Sequence, residues 1–183
     1  MNWNWTKGTL AVAVASAGVA MVMLAAPANA GVEATSSSTV SADAGHGTQQ
    51  HTRAIVTTWE SAWSENRPDA MAALFTRDAT YTDLAFGATW HGQAEIGQWV
   101  TKTHSAIKNA RVKVSSFFRG DNQIAIQWTF SGMMPGATKP FAVPATTIMK
   151  LRGERIVTNA DYYNLADLLK QSGLPADWAV PGN

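Results

Sequence analysis

The chain has 183 residues, 46% of them hydrophobic and 15% charged, with eight Trp, no Cys and a formal net charge of +1. The missing Cys excludes a disulfide framework, a thiolate zinc site, an iron–sulfur cluster and a Cys nucleophile. The balanced charge gives no electrostatic footprint for nucleic acid. The length fits one domain plus a remainder, and a domain of that size stands without staples.

The remainder lies at the start. Lys7 is the one charged side chain before Thr9–Ala26, a run without any charge, and Ala28 and Ala30 then stand in the small-residue pattern of a cleavage site. Residues 1–30 therefore read as a secretory signal peptide. An uncleaved membrane anchor is the alternative, since the apolar run is long. Cleavage after Ala30 leaves acids and bases in balance. The expected location is secreted or periplasmic, with no membrane attachment after cleavage. Residues 31–50, rich in Ser, Thr, Gly and Ala, predict a flexible linker. His46 and His51 close it, with no third ligand near enough for a metal.

From Arg53 the pattern changes. Ile55, Val56, Trp59, Ala62 and Trp63 recur at helical steps, and Pro68 predicts a stop near Asn66. Asp69 is expected to cap a short second helix, Ala70–Phe75. Ala79–Leu84 reads as a strand, Phe86-Gly87-Ala88 as a turn or loop. Gly92 opens a third helix with Ile96, Trp99, Val100 and Ile107 on its buried stripe. After Asn109 the period becomes two: one strand through Val112, Val114 and Phe118, a hairpin turn at Gly120-Asp121-Asn122, and a second strand through Ile124, Ile126, Trp128 and Phe130. Met133–Lys139 is a loop. Phe141–Leu151 and Arg155–Tyr163 are two further strands joined by a turn. Leu165–Gln171 is a last helix ending at Gly173. Helices and a meander of antiparallel strands make the fold class α+β. A curved antiparallel sheet wrapped around three helices makes a cone-shaped α+β barrel.

Three phrases carry a family resemblance: LFTRDATYTDLAFG at 74–87, WHGQAEIGQWV at 90–100 and LRGERIVTNADYYNLADLLKQSGLP at 151–175. The chain resembles the SnoaL-like polyketide cyclase group of the nuclear-transport-factor-2-like superfamily. The likeness spans residues 51–175, leaving 176–183 as a C-terminal tail. It implies that Asp161 matches the acid–base Asp of the cyclases, which close polyketides by intramolecular aldol chemistry without a cofactor. A carboxylate in an apolar cone has a raised pKa and can both take and return a proton. The cyclase pattern has a His fourteen residues earlier, where this chain has Thr147. Thr147 hydrogen-bonds an oxygen but carries no charge. Asp83 matches the general-base Asp of ketosteroid isomerases. Their oxyanion stabilisers, a Tyr and a protonated Asp, fall at Trp59 and near Thr147, which supply no acidic donor.

Asp161 and Asp83 are thus the catalytic candidates. Thr147, His91, Trp59, Trp128, Tyr81 and His104 are candidates for contacting an apolar small-molecule ligand, since aromatic walls around carboxylates suit one. No close His pair supports a metal. Parity alone leaves open which sheet face is concave, because a bulge inverts it. Three functions follow: an exported acid–base enzyme, a binding protein on the same cone, or an interaction module that forms a homodimer through the outer face of the sheet.

Overall fold

The computed structural model describes residues 38–178, with side chains from residue 47 on. The signal peptide, the first part of the linker and the last part of the tail lie outside the described residues. The elements run α1 (Ser38–Ser64), α2 (Pro68–Leu74), β1 (Phe75–Asp83), β2 (Ala88–His91), α3 (Gly92–Ala106), β3 (Lys108–Gly120), β4 (Gln123–Met133), β5 (Phe141–Arg152), β6 (Arg155–Tyr163) and α4 (Leu165–Ser172). One six-stranded sheet has the order β2-β1-β6-β5-β4-β3. It curves around α1, α2 and α3 without closing, which is the expected α+β cone.

The helix faces follow their sequence periods. Ile55, Val56, Trp59, Ala62 and Trp63 are all buried along α1, and Ile96, Trp99, Val100 and Thr103 along α3. Asn66 takes a left-handed φ of 52° after α1 and Pro68 follows, so the helix cannot continue. α4 carries both its signals: Asn164 Oδ1 accepts the Asp167 N–H at 3.0 Å, and Gly173 is left-handed at the C-cap. In the strands the period is two. β4 buries Ile124, Ile126, Trp128 and Phe130 on the concave face.

Several expectations need correction. Residues 38–50, expected to be flexible linker, form the first turns of α1. Extending a packed helix needs no new nucleus, so weak formers follow it. Asp69 does not cap α2: Pro68 occupies the first turn, Arg67 holds the N-cap position, and Asp69 sits in the first turn near the positive helix end. The segment read as turn and loop around Ala88 continues into β2, which is only 4 residues long. The sheet is also mixed. β1 runs parallel to β6, with Thr82 opposite Ala160 and Asp83 opposite Asp161, while the meander β3-β4-β5-β6 is antiparallel as expected.

Gly132 marks how closely the α3–β3 corner meets β4. A Cβ there would lie 2.6 Å from Ile107 Cγ2 and 3.4 Å from the Ala110 Cα. Gly132→Ala is expected to destabilise the fold by about 1–3 kcal/mol through overpacking. A fall in the urea midpoint with an unchanged m-value checks it.

Candidate active site

The parallel pairing of β1 with β6 is what builds the site. It sets Asp83 directly beside Asp161, and the antiparallel pairing of β6 with β5 sets Thr147 on the other side of Asp161. Neighbouring strands lie about 5 Å apart, so the three side chains form one row across the concave face. Tyr81 and Asn159 stand opposite each other one step along the same face, with Trp128, Ala145 and Tyr163 one step the other way.

Asp161 is 3% exposed and Asp83 4% exposed. Asp161 Oδ1 accepts the Thr147 hydroxyl at 2.6 Å and the Asn159 amide N–H at 2.8 Å, and Oδ2 accepts the Tyr81 hydroxyl at 2.5 Å. Thr147 is itself fixed, since its Oγ1 accepts the Trp128 indole N–H at 2.9 Å. Trp128, Thr147 and Asp161 therefore form a directed chain of donors. Asp83 Oδ1 accepts the Phe86 backbone N–H at 3.0 Å, and Oδ2 accepts the Tyr163 hydroxyl at 2.7 Å. Each acid is thus paired with its own tyrosine.

Loss of water dominates both acids. Burial, and then the neighbouring charge of Asp83, push the Asp161 carboxyl up to about 7, against the pull of its Thr147, Tyr81 and Asn159 donors. Burial pushes Asp83 up to about 6, against the Phe86 and Tyr163 donors. Burial and the facing carboxylates hold the Tyr81 and Tyr163 hydroxyls well above their usual range, so both are neutral donors.

The acids open onto a narrow apolar chamber walled by Trp63, Phe86, Trp99, Trp128, Phe130 and Tyr163, with Thr103 among them. Its free space is about 20 Å³, enough for about one water. Phe86, on the turn between β1 and β2, packs edge-on against Tyr163 at 6.2 Å and is half-buried. Behind this wall the Trp90 and Trp99 rings stack at 3.9 Å, and Trp90 meets Tyr81 edge-on at 6.1 Å. Among the described residues, the buried Thr103 hydroxyl has no partner in hydrogen-bond geometry. A much larger recess of about 1290 Å³ lies between α1 and β3. It is open and lined by solvated side chains such as Gln49, Arg53 and Asp121, with no buried carboxylate.

The structure brings together Asp161, Asp83, Thr147, Tyr81 and Trp128 from the sequence candidates. It places the others elsewhere. Trp59 is fully buried behind Trp128, edge-on at 5.3 Å, as core. His91 stands exposed where β2 gives way to α3, its backbone N–H donating to Glu95 Oε2 at 2.7 Å. His104 Nε2 lies 2.5 Å from the Trp63 carbonyl oxygen, tying α3 to α1. The sequence reading missed Tyr163, Asn159, Phe86 and Thr103. Asn159 and Tyr163 lie two residues either side of Asp161, so period two gives them the same face. Thr103 lies one helical turn after Trp99. Among the described residues, no three His, Asp or Glu side chains gather as a metal would need.

Residues 56–159 match the SnoaL-like domain. The chain belongs to this family. A protein of ketosteroid-isomerase-like fold from Catenulispora acidiphila, solved in complex with trimethylamine, is 42% identical to the SnoaL-like chain; the match covers 69% of this chain and 97% of that one, with a TM-score of 0.67. Two distant structures show the fold alone. An LEH-like epoxide hydrolase from M. tuberculosis is 14% identical over 67% of this chain and 90% of that one, with a TM-score of 0.57. An NTF2-like protein from Burkholderia thailandensis is 17% identical over 66% and 95%, with a TM-score of 0.58. None of the curated protein sequences compared with the SnoaL-like chain matches it.

Proposed function

We propose that this SnoaL-like protein binds a small, largely apolar organic molecule against the Asp83–Asp161 row and that Asp161 carries a proton to and from it, with no cofactor. The observation that carries the reading is Asp161 itself: a carboxyl buried among aromatic rings, oriented through both oxygens and poised near neutrality. A group with that poise is a base and an acid in turn. The chemistry suited to it is proton abstraction beside a carbonyl with return to another atom, as in cyclisation, isomerisation or an aldol-type step. Thr147, at the position of the cyclase His, orients Asp161 and takes no part in charge transfer.

The test is mass spectrometry of the protein purified from its own host, followed by incubation of the identified compound in deuterated water. Deuterium entering the compound faster with protein than without is expected. A compound that binds and neither exchanges nor turns over overturns the proton-transfer role.

A second reading keeps the binding and drops the turnover. The relative's trimethylamine complex favours it, while the resting chamber holds about one water. A larger occupant needs the Phe86 turn to swing aside. Phe86→Ala is expected to leave the fold intact and to raise the association rate about tenfold, measured by stopped-flow quenching of Trp fluorescence.

We infer also that the protein is exported. The uncharged run Thr9–Ala26 and the small residues at 28 and 30 support this. Pairing of two copies across the outer sheet face is supported by exposed Tyr162, beside a shallow recess among Gln127, Thr129 and Thr146.

A further inference from the structure

Asp83 and Asp161 are the only buried acids among the described residues, and no Lys, Arg or His is buried with them. The chamber they face has aromatic walls and no basic side chain. The neighbouring charge that acts on the Asp161 carboxyl is that of Asp83, not a cation's, and burial dominates at Asp83. Tyr81 on β1 and Tyr163 on β6 are neutral donors, α1 and α3 present Trp63, Trp99 and Thr103, and His104 is turned to the Trp63 carbonyl. Two acids in a dry site with no counter-ion are left incomplete by a neutral occupant and repel an anionic one.

The walls favour one kind of cation. Aromatic faces attract a cation that sheds its water easily. A primary ammonium needs acceptors for three N–H groups, yet oxygens of both carboxyls already receive Thr147, Asn159, Tyr81, Phe86 and Tyr163 donors. A methylated ammonium makes no such demand. Its methyl groups pack on rings, and its charge is diffuse. Resting on the reading of this chamber as the ligand site, and on the outward swing of the Phe86 turn that an occupant larger than one water requires, we propose that it selects a methylated ammonium group, with the Asp83–Asp161 pair as counter-ion, and that entry of the cation expels a proton held by the pair. Free of ligand, the pair keeps a proton because two neighbouring carboxylates repel each other. The cation's charge takes that proton's place, and the proton goes to the buffer, so charge and atoms balance.

The experiment is calorimetry of the full chain with three probes of similar shape: tetramethylammonium, tert-butanol and pivalate. Tetramethylammonium is expected to bind at one site, at least tenfold tighter than either of the others. At pH 6.5, heats in two buffers of different ionisation enthalpy are expected to show release of up to one proton per cation. Asp83→Asn and Asp161→Asn are each expected to weaken the cation at least tenfold, with the fold checked by near-ultraviolet circular dichroism. Equal or tighter binding of tert-butanol or pivalate overturns the charge selectivity and leaves the chamber standing as a ligand site. Cation binding that survives both substitutions, or absence of binding by tetramethylammonium, overturns the proposal outright. The three-probe comparison on the unaltered protein decides even if a variant fails to fold.

Discussion

Asp161→Asn is expected to lower turnover of the natural compound by roughly 10²–10⁴-fold, the span for loss of a positioned acid–base group. Asn keeps the size of the side chain, so the wall of the chamber stays in place. What it lacks is the ability to accept and return a proton, and one of the donors among Thr147, Asn159 and Tyr81 loses its acceptor. Asp83→Asn is expected to act differently. It removes the charge that helps raise Asp161, so the Asp161 carboxyl falls and the acid limb of the pH–rate profile moves to lower pH, with a smaller loss in maximal rate. Paired profiles of kcat/KM against pH for the two variants check both statements. A full rate with Asp161→Asn eliminates the assigned role.

Folding stability is expected to be higher at pH 5 than at pH 8. Both acids have folded-state pKa values raised from 3.8, to about 6 and about 7. Between the unfolded and folded values the native state binds more protons than the unfolded chain, so stability falls as pH rises through that window. The fall begins above about pH 4 and levels off above pH 7, once both carboxyls are ionised in both states. The difference is on the order of several kcal/mol, since a tenfold change in proton affinity corresponds to about 1.4 kcal/mol and the two acids titrate as a pair. Urea midpoints at pH 5 and pH 8 measure it. Asp83→Asn is expected to reduce the difference by removing one of the two buried acids and the repulsion it exerts on the other. A midpoint that rises towards pH 8 contradicts the assignment of two uncompensated buried carboxyls. This cost is what a binding or catalytic role explains, because a neutral pair would stabilise the cone better.

Much of this was legible in the residues. Trp59, Trp63 and Ile96 announce their helices by spacing, and Ile124, Ile126 and Trp128 announce β4 by alternation. Those signals are local, as are the Asn164 cap and the turn at Gly120. β2 escaped because four residues following a Gly carry no period. The parallel pairing of β1 with β6 escaped for a stronger reason: partner choice between distant strands depends on the packing of the whole sheet, and nothing within ATYTDL encodes it. That pairing alone brings Asp83 to Asp161, so both acids were readable while their adjacency was not. The concave face could not be assigned by parity, and register shifts in β1, in β3 and between β5 and β6 show why. Once the face is known, Asn159 and Tyr163 follow from Asp161 by counting two. In the sequence, Thr147 stands where the cyclase pattern has a His and carries no charge. In the structure Thr147 is the middle of a hydrogen-bond chain from Trp128, which orients Asp161 without adding a charge.

Two buried carboxyls set side by side without a cation underlie both the proposed proton transfer and the proposed ligand selectivity. Carbon-13 NMR titration of the aspartate side-chain carboxyls, assigned through Asp83→Asn and Asp161→Asn, measures this directly and needs no ligand. Two resonances titrating between about pH 5 and 8, coupled so that each substitution shifts the other, are the predicted result. If every aspartate carboxyl titrates below about pH 5, the pair is solvated or compensated, and the proposed role of Asp161 is wrong.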